Sequence, residues 1–513
     1  MRRRSSRTAV FLLLRVVFAA ISAHAQGTWT LVASPNTPRF SLQALRLLDG
    51  SVLIISKSGG GSCTMNAERY ANGAWSAAGS LPNGTCPTGP MTLLADGRVL
   101  VAGNSSAFVF DPITMTWTNI APMQTPRTNH SATLSSNGKV MVAGGISVSN
   151  SQPLSSVEIL DPETLTWSSG PSMPVPASLP TATLLPNGNV LVLEGSSTNA
   201  LLFDPAFSTW RNTAATANVH GMAGGGFNPD GGDALRFLPD GQVLIAGGSQ
   251  SAAEIYNIGI ERWLPAGGIT PRANSPVISL SNGNVVIPGG RSPGLPLRPP
   301  NNSVSLYDVV AGSWSLAQPM NKARELFPGV LLDDGRVLVV GGESGGSAEV
   351  YDPAVSNPSP VLSGIKPNNV GSDITSSVLL SGSNFTPNSI VFAGTVRLVT
   401  LYMGSTQLMA FLPRTIVTAG ANLQVRVTNP GPGGGVSGSQ LVNVTPANPV
   451  PTASEVTPSS LARVSTADTL ILVTGTNFLS SSVVYYNSKP LQTRFFSSTM
   501  LSAVIPAAQV SSS

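Results

Sequence analysis

Residues 331–342 read LLDDGRVLVVGG, and residues 92–103 read TLLADGRVLVAG. A chain that writes nearly the same dozen letters twice carries an internal repeat, and the period of that repeat decides the architecture. Seven copies are present, each marked by an Asx-Gly pair: Asp49-Gly50, Asp96-Gly97, Asn137-Gly138, Asn187-Gly188, Asp240-Gly241, Asn282-Gly283 and Asp334-Gly335. Each pair lies between two short runs rich in Leu and β-branched residues. That setting predicts a β-hairpin closed by a two-residue type I′ turn.

A third apolar run follows the hairpin in most copies, ending in an aromatic or large apolar residue and often Asp-Pro: FVFDP, EILDP, LLFDP, EIYN, SLYD and EVYDP. A tryptophan comes a few residues later. The seven tryptophans are Trp29, Trp75, Trp117, Trp167, Trp210, Trp263 and Trp314; six follow a hairpin, whereas Trp29 precedes them all. The last copy, residues 327–353, has no Trp of its own, so a circular arrangement accounts for the count: TWTLVA at the N-terminus supplies its fourth strand. Seven four-stranded blades then close into a ring, which protects sheet edges and lets each repeat bury both faces against its neighbours. The expected fold class is all-β, a seven-bladed β-propeller over residues 27–355.

These residues also carry a family resemblance. The chain resembles kelch-repeat propellers, with Gly-Gly after the second strand (Gly144-Gly145, Gly247-Gly248, Gly289-Gly290, Gly341-Gly342), an aromatic on the third strand (Tyr256, Tyr307, Tyr351) and Trp on the fourth. It looks particularly like the central domain of the galactose oxidase type. Copy 1 lacks the double glycine in register, copy 2 has Gly103-Asn104, and copy 4 has Glu194-Gly195. The resemblance implies a copper-radical centre of two Tyr and two His, one Tyr crosslinked to Cys, with a Tyr-His pair just before the last hairpin. Leu326-Phe327 stand there instead.

The remainder of the chain repeats as well. Phe385 and Phe478, Leu408 and Leu501, and Pro413 and Pro506 are each 93 residues apart. Residues 358–446 and 449–513 are thus two copies of one module, similar to IPT/TIG domains, which are immunoglobulin-like β-sandwiches. In register, the second copy would reach its Asn-Pro at position 522, past Ser513, so the expectation is a truncated second module in a longer chain.

Charged residues are only 10% of the chain, while Gly and Pro are abundant, as in a turn-rich all-β protein. The segment 1–25 has an arginine-rich start, an apolar middle and Ala23-His24-Ala25, the pattern of a secretory signal peptide cleaved near Ala25. Its removal takes five arginines and no carboxylate from a formal net charge of +4, leaving −1. No basic run with interleaved aromatics is left, which excludes nucleic acid as a partner. No membrane span is expected after signal cleavage.

Candidate ligand-binding residues follow from the blade pattern. Arg39, Arg127, Arg272 and Arg324 each precede a first strand, and guanidiniums gathered at the channel mouth would hold carboxylate or sulfate groups; pairing within the blades is the competing reading. Glu194, in place of a repeat glycine, would be a counter-charge. His130 and His220 are the histidines of the mature chain. Asp230 and Asp233 in NPDGGD offer oxygens to calcium, although their spacing is not that of an EF-hand and Asp-Gly is ordinary turn material. Cys63 and Cys86 fall in loops expected on one face and would bridge after export. GESGG at 342–346 matches a nucleophile elbow only in letters, since no helix is expected after it.

The functional expectation is a secreted or cell-surface, non-enzymatic binding protein without a cofactor, calcium apart. Its propeller would recognise a glycan or an extracellular protein through the long loops 146–155, 212–233 and 291–302, and the sandwiches would act as spacers. Two alternatives are an extracellular enzyme, galactose-oxidase-like or polysaccharide-active, and a structural link in an extracellular assembly.

Overall fold

The computed structural model describes residues 27–37, 43–57, 65–82, 89–220, 235–247, 252–292, 299–446, 451–460, 468–479 and 482–510. The first 368 residues hold seven four-stranded antiparallel sheets. Blade 3 is typical: strands Ser131–Leu134, Val140–Ala143, Val157–Asp161 and Thr166–Gly170 follow one another from the axis outward. Blade 7 takes its first three strands from Gly329–Leu331, Val337–Val340 and Ala348–Asp352. Its fourth is Thr28–Val32, with Trp29 opposite Tyr351. The first strands of consecutive blades are neighbours all the way round, blade 7 against blade 1 included. The chain is therefore a closed seven-bladed propeller, followed by β domains.

Burial shows why this sequence needs a ring. Second strands such as Val190–Leu193 and Val337–Val340 are buried at every residue, because another blade lies on each face, whereas the fourth strands alternate with exposure. The tryptophans tie blade to blade. In six blades the indole stacks on the third-strand aromatic at 4.8–5.0 Å. Trp75, Trp117 and Trp167 donate Nε1–H to the carbonyls of Ala33, Ala78 and Ala121 in the preceding blade.

The hairpin turn differs from the sequence expectation. Gly50 has φ +85°, but Asp49 is not left-handed, so the loop is a type I turn closed by a glycine bulge and not type I′. The cause recurs in all seven blades. The Asx side-chain oxygen accepts the N–H two residues on, as Asp49 does from Ser51 and Asp334 from Arg336, and this fixes the Asx residue while only the glycine takes positive φ.

The chain divides into two compact units, Met1–Asn368 with Thr375–Pro413 and Leu423–Val442, and Asn369–Ile374 with Arg414–Asn422 and Asn443–Ser513. The first unit holds, besides the propeller, the strands Val361–Lys366, Ser376–Ser383, Ile390–Ala393, Val396–Tyr402, Gln407–Leu412 and most of Asn422–Asn429. The second contains a sheet of Thr452–Thr457, Thr469–Thr476, Met500–Ile505 and Gln492–Ser497, in that order, and the hairpin Tyr485–Tyr486 with Lys489–Pro490.

Candidate functional site

Packing leaves one end of the propeller for function. The Asx-Gly turns of blades 5 and 7 are covered within the first unit. Arg397 grips Asp333 through both guanidinium arms at 2.6 and 2.8 Å, Asn388 donates to the Asp333 carbonyl, and Ser405 donates to Pro239 O. Burial alone would raise the Asp333 pKa, but Arg397 and Arg46 hold it below the usual carboxylate range. Pro387 and Tyr402 stop the central channel at this end, leaving a cavity of about 300 Å³ between the first strands of blades 1, 5, 6 and 7. The opposite end presents the first-strand entries and the loops between second and third strands.

At that end the arginines are used internally. Arg127 and Arg324 are fully buried. Arg324 pairs with Glu349 at 2.9 Å and also bonds the carbonyls of Gly341 and Ser347. Arg127 does the same with Glu158, Gly144 O and Ser156 O. Each glutamate also accepts two backbone N–H groups from the loop entering its blade: Gln124 and Thr125 on Glu158, Asn321 and Lys322 on Glu349. The guanidiniums therefore act as latches inside their own blades and do not converge at the channel mouth. Burial lowers the Arg127 pKa, against the pull of Glu158. Arg272 keeps the geometry without the charge partner, because Ser305 replaces the glutamate and donors go to Gly289 O, Asn301 Oδ1 and Ser303. Arg39 lies outside the described residues.

The sequence reading missed these glutamates. They recur two residues before the third-strand aromatic or apolar anchor, as in Glu254 before Tyr256 and Glu349 before Tyr351, so their period was available. In blade 5 His220 takes the arginine's role, with Nε2 2.8 Å from Glu254 Oε1 and the ring buried. Burial pushes Glu254 up, but the Ala217 N–H, His220 and Asn218 outweigh it and leave its pKa lowered.

His130 is enclosed. It follows Asn129, at φ +55°, and fills a slot between blades 2 and 3 in which a Cβ added at Gly89 would lie 2.6 Å from its ring and one at Gly145 2.9 Å from its Cβ. Phe327 fills the same slot in blade 7 under Gly342, which explains both the double glycines and the apolar residue where the galactose oxidase type has histidine. Neither His130 ring nitrogen has a well-aligned partner. Burial, then the nearby Arg127 charge, lowers its pKa to about 3, with only the Ala102 carbonyl opposing.

A part-buried polar cluster lies at this end between blades 6 and 7. Arg291 pairs with Glu325, and Asn274 Nδ2 lies 3.5 Å from Glu325 Oε2. Asn274 holds φ +60°, and its Oδ1 is buried without a partner. Glu194 accepts from Ser196, Ser197 and Asn199, so serines and an amide, not an arginine, surround it. Glu343 caps the turn of GESGG by accepting the N–H groups of Gly345 and Ser347, which places Ser344 in a turn before a strand. Asp230, Asp233, Cys63 and Cys86 lie outside the described residues.

A kelch motif model matches residues 127–174. No curated protein matches the sequence. Among solved structures, 303 chains match, so the architecture is widely shared and does not by itself select an activity. One is a fungal alcohol oxidase of the AA5 family in complex with copper, 17% identical with a TM-score of 0.53, covering 82% of this chain and 100% of that one. The likeness is one of fold. It nevertheless corrects two expectations, that of a non-enzymatic binding protein and that of no cofactor, because this similar structure is an enzyme and holds copper.

The residues present do not fit a copper centre of that type. Among the described residues no three His, Cys, Asp or Glu side chains come together as metal ligands. His220 is committed to Glu254, and His130 is walled in by glycines of two blades. Tyr70, Tyr256, Tyr307 and Tyr351 stack on tryptophans between blades.

Proposed function

We propose that the chain is an extracellular enzyme acting on hydroxyl-rich, carbohydrate-type substrates, and that the reaction takes place at the open end of the propeller. The observation that supports this most is the likeness to an alcohol oxidase along that protein's whole length. The segment 1–25 serves as the export signal, and residues 358–446 and 449–513 are IPT/TIG-type modules.

The chain's own residues are suited to holding a sugar. Arg291 fixes the Glu325 carboxylate, which accepts a hydrogen bond from a substrate hydroxyl. Asn274 Nδ2 lies beside the same carboxylate and holds it from a second side. A carboxylate held in this way on a rigid rim orients a substrate hydroxyl. Asn274 and Glu325 are fixed through backbone bonds, Leu326 N to Asn274 O and Glu325 N to Gly342 O.

The test is turnover of a panel of primary alcohols, galactosides and polysaccharides by the secreted protein, following hydrogen peroxide and new reducing ends, with and without added copper. Glu325→Gln and Asn274→Ala are expected to raise KM while leaving the melting temperature unchanged. Equal kinetics in both variants would remove this rim from the substrate site.

A further inference from the structure

The cavity of about 300 Å³ on the propeller axis is lined by hydrogen-bond donors that the fold leaves unused. It has room for the liquid volume of roughly ten waters, and it is open, not sealed. Its wall is made of first strands seen edge-on. In blade 1 Leu47 donates to the Ser51 carbonyl across the hairpin, so strand alternation turns the amide and carbonyl of Arg46 away from the second strand and toward the axis. Blades 5, 6 and 7 keep this register. Leu238, Leu280 and Leu332 donate to Gln242, Asn284 and Arg336, which turns Phe237, Ser279 and Leu331 toward the axis as well. Arg46 Nη1 reaches one of these edge carbonyls, that of Leu331, at 3.2 Å.

Side chains add to the main-chain donors. Arg46 lines the cavity, and its side chain is 23% exposed. Its carboxylate partner Asp333, at 3.2 Å, is shared with Arg397, which holds both carboxylate oxygens at 2.6 and 2.8 Å. Among the described residues no acceptor takes Arg46 Nε or Nη2. Burial lowers the Arg46 pKa; the pull of Asp333 does not offset it, and Arg397 works against that pull. A second anion beside this guanidinium therefore meets a charge that is incompletely compensated. The hydroxyls of Ser279 and Tyr402, which also line the cavity, have no protein partner among the described residues. Burial raises the Tyr402 pKa, so its phenol stays an O–H donor. Arg236 of blade 5 lines the same space, with Nη1 on the Leu235 carbonyl. Among the described residues no carboxylate side chain lines it.

We propose that this axial cavity binds a small carboxylate. The ligand's two oxygens take Nε–H and Nη2–H of Arg46, and Ser279 and Tyr402 donate their hydroxyls to it. The guanidinium fork matches a planar carboxylate through two parallel N–H···O bonds. An anion suits the site better than a neutral sugar, because the lining offers two guanidiniums and two hydroxyls but no acidic side chain. The site is independent of the Glu325 rim, which lies at the other end of the propeller.

The probe is malonate, titrated into the full chain at about 0.15 M salt and followed by calorimetry. Malonamide, of the same size and uncharged, is the control. Saturable binding of malonate is expected, at least about tenfold tighter than that of malonamide and at least about tenfold weaker in Arg46→Gln and in Tyr402→Phe. Melting temperatures are measured alongside. Tyr402→Phe removes one hydroxyl and keeps the ring, so it decides the matter if Arg46→Gln does not fold. Failure of malonate to saturate, equal affinity for malonamide, or unchanged affinity in either folded variant overturns the proposal.

Discussion

His130 gives the sharpest physical test of the propeller interior. In the unfolded chain a histidine titrates at its ordinary value of 6.5; in the fold burial lowers it to about 3. The unfolded state therefore binds more protons between these values, and stability falls as pH falls through that window. The contribution is fully present above the unfolded pKa. By about pH 4.5 some 2 to 3 kcal/mol is lost, taking roughly 1.4 kcal/mol per pH unit. His130→Phe should remove this slope, because Phe327 already occupies the same slot in blade 7. The assay is guanidinium unfolding at several values between about pH 7.5 and pH 4.5 for both proteins. Carboxylates whose pKa is held low, such as Asp333 and Glu254, contribute to both curves and cancel in the difference. Identical pH slopes for the two proteins would refute the reasoning, as would an NMR titration placing His130 near its ordinary value.

Three further substitutions test the latches and the ring. Glu349→Ala leaves Arg324 buried without its charge partner and two loop N–H groups unpaired, and should cost about 3–5 kcal/mol in denaturant unfolding. Ser305→Glu should supply the carboxylate that Arg272 lacks and raise stability by about 1.5–3 kcal/mol in the same assay; a loss of stability would show that blade 6 has no room for it. Trp29→Ala removes the indole that stacks on Tyr351 and bonds Gln318 O, and should cost about 3 kcal/mol, the low end for a large aromatic because Trp29 is only half-buried. A cost near zero would mean that the closing strand does not hold the ring.

The parts of the fold legible in the sequence were those with a period. Asx-Gly pairs, third-strand aromatics and tryptophans recur because every blade solves the same packing problem. The turn type was misread because Asx was assigned positive φ by analogy with two-residue hairpins, whereas its side chain bonds the N–H two residues on and leaves that conformation to glycine alone. The Arg–Glu latches were half legible: the arginines stood out, but their partners lie on strands whose apolar pattern hid them. His220 in place of an arginine could not be read, because it lies in a long loop with no register to align it. The rim of Asn274, Arg291 and Glu325 was equally hidden, since it joins two blades through loop geometry.

The central claim is that this propeller is an enzyme for hydroxyl-rich substrates working at its open end. The most direct measurement is initial-rate turnover of galactosides and polysaccharides by the purified chain, with and without copper, beside Glu325→Gln. The account predicts measurable turnover by the parent protein and a raised KM in the variant at unchanged melting temperature. No turnover of any substrate under either metal condition, from protein that unfolds cooperatively and is correctly folded, would contradict it.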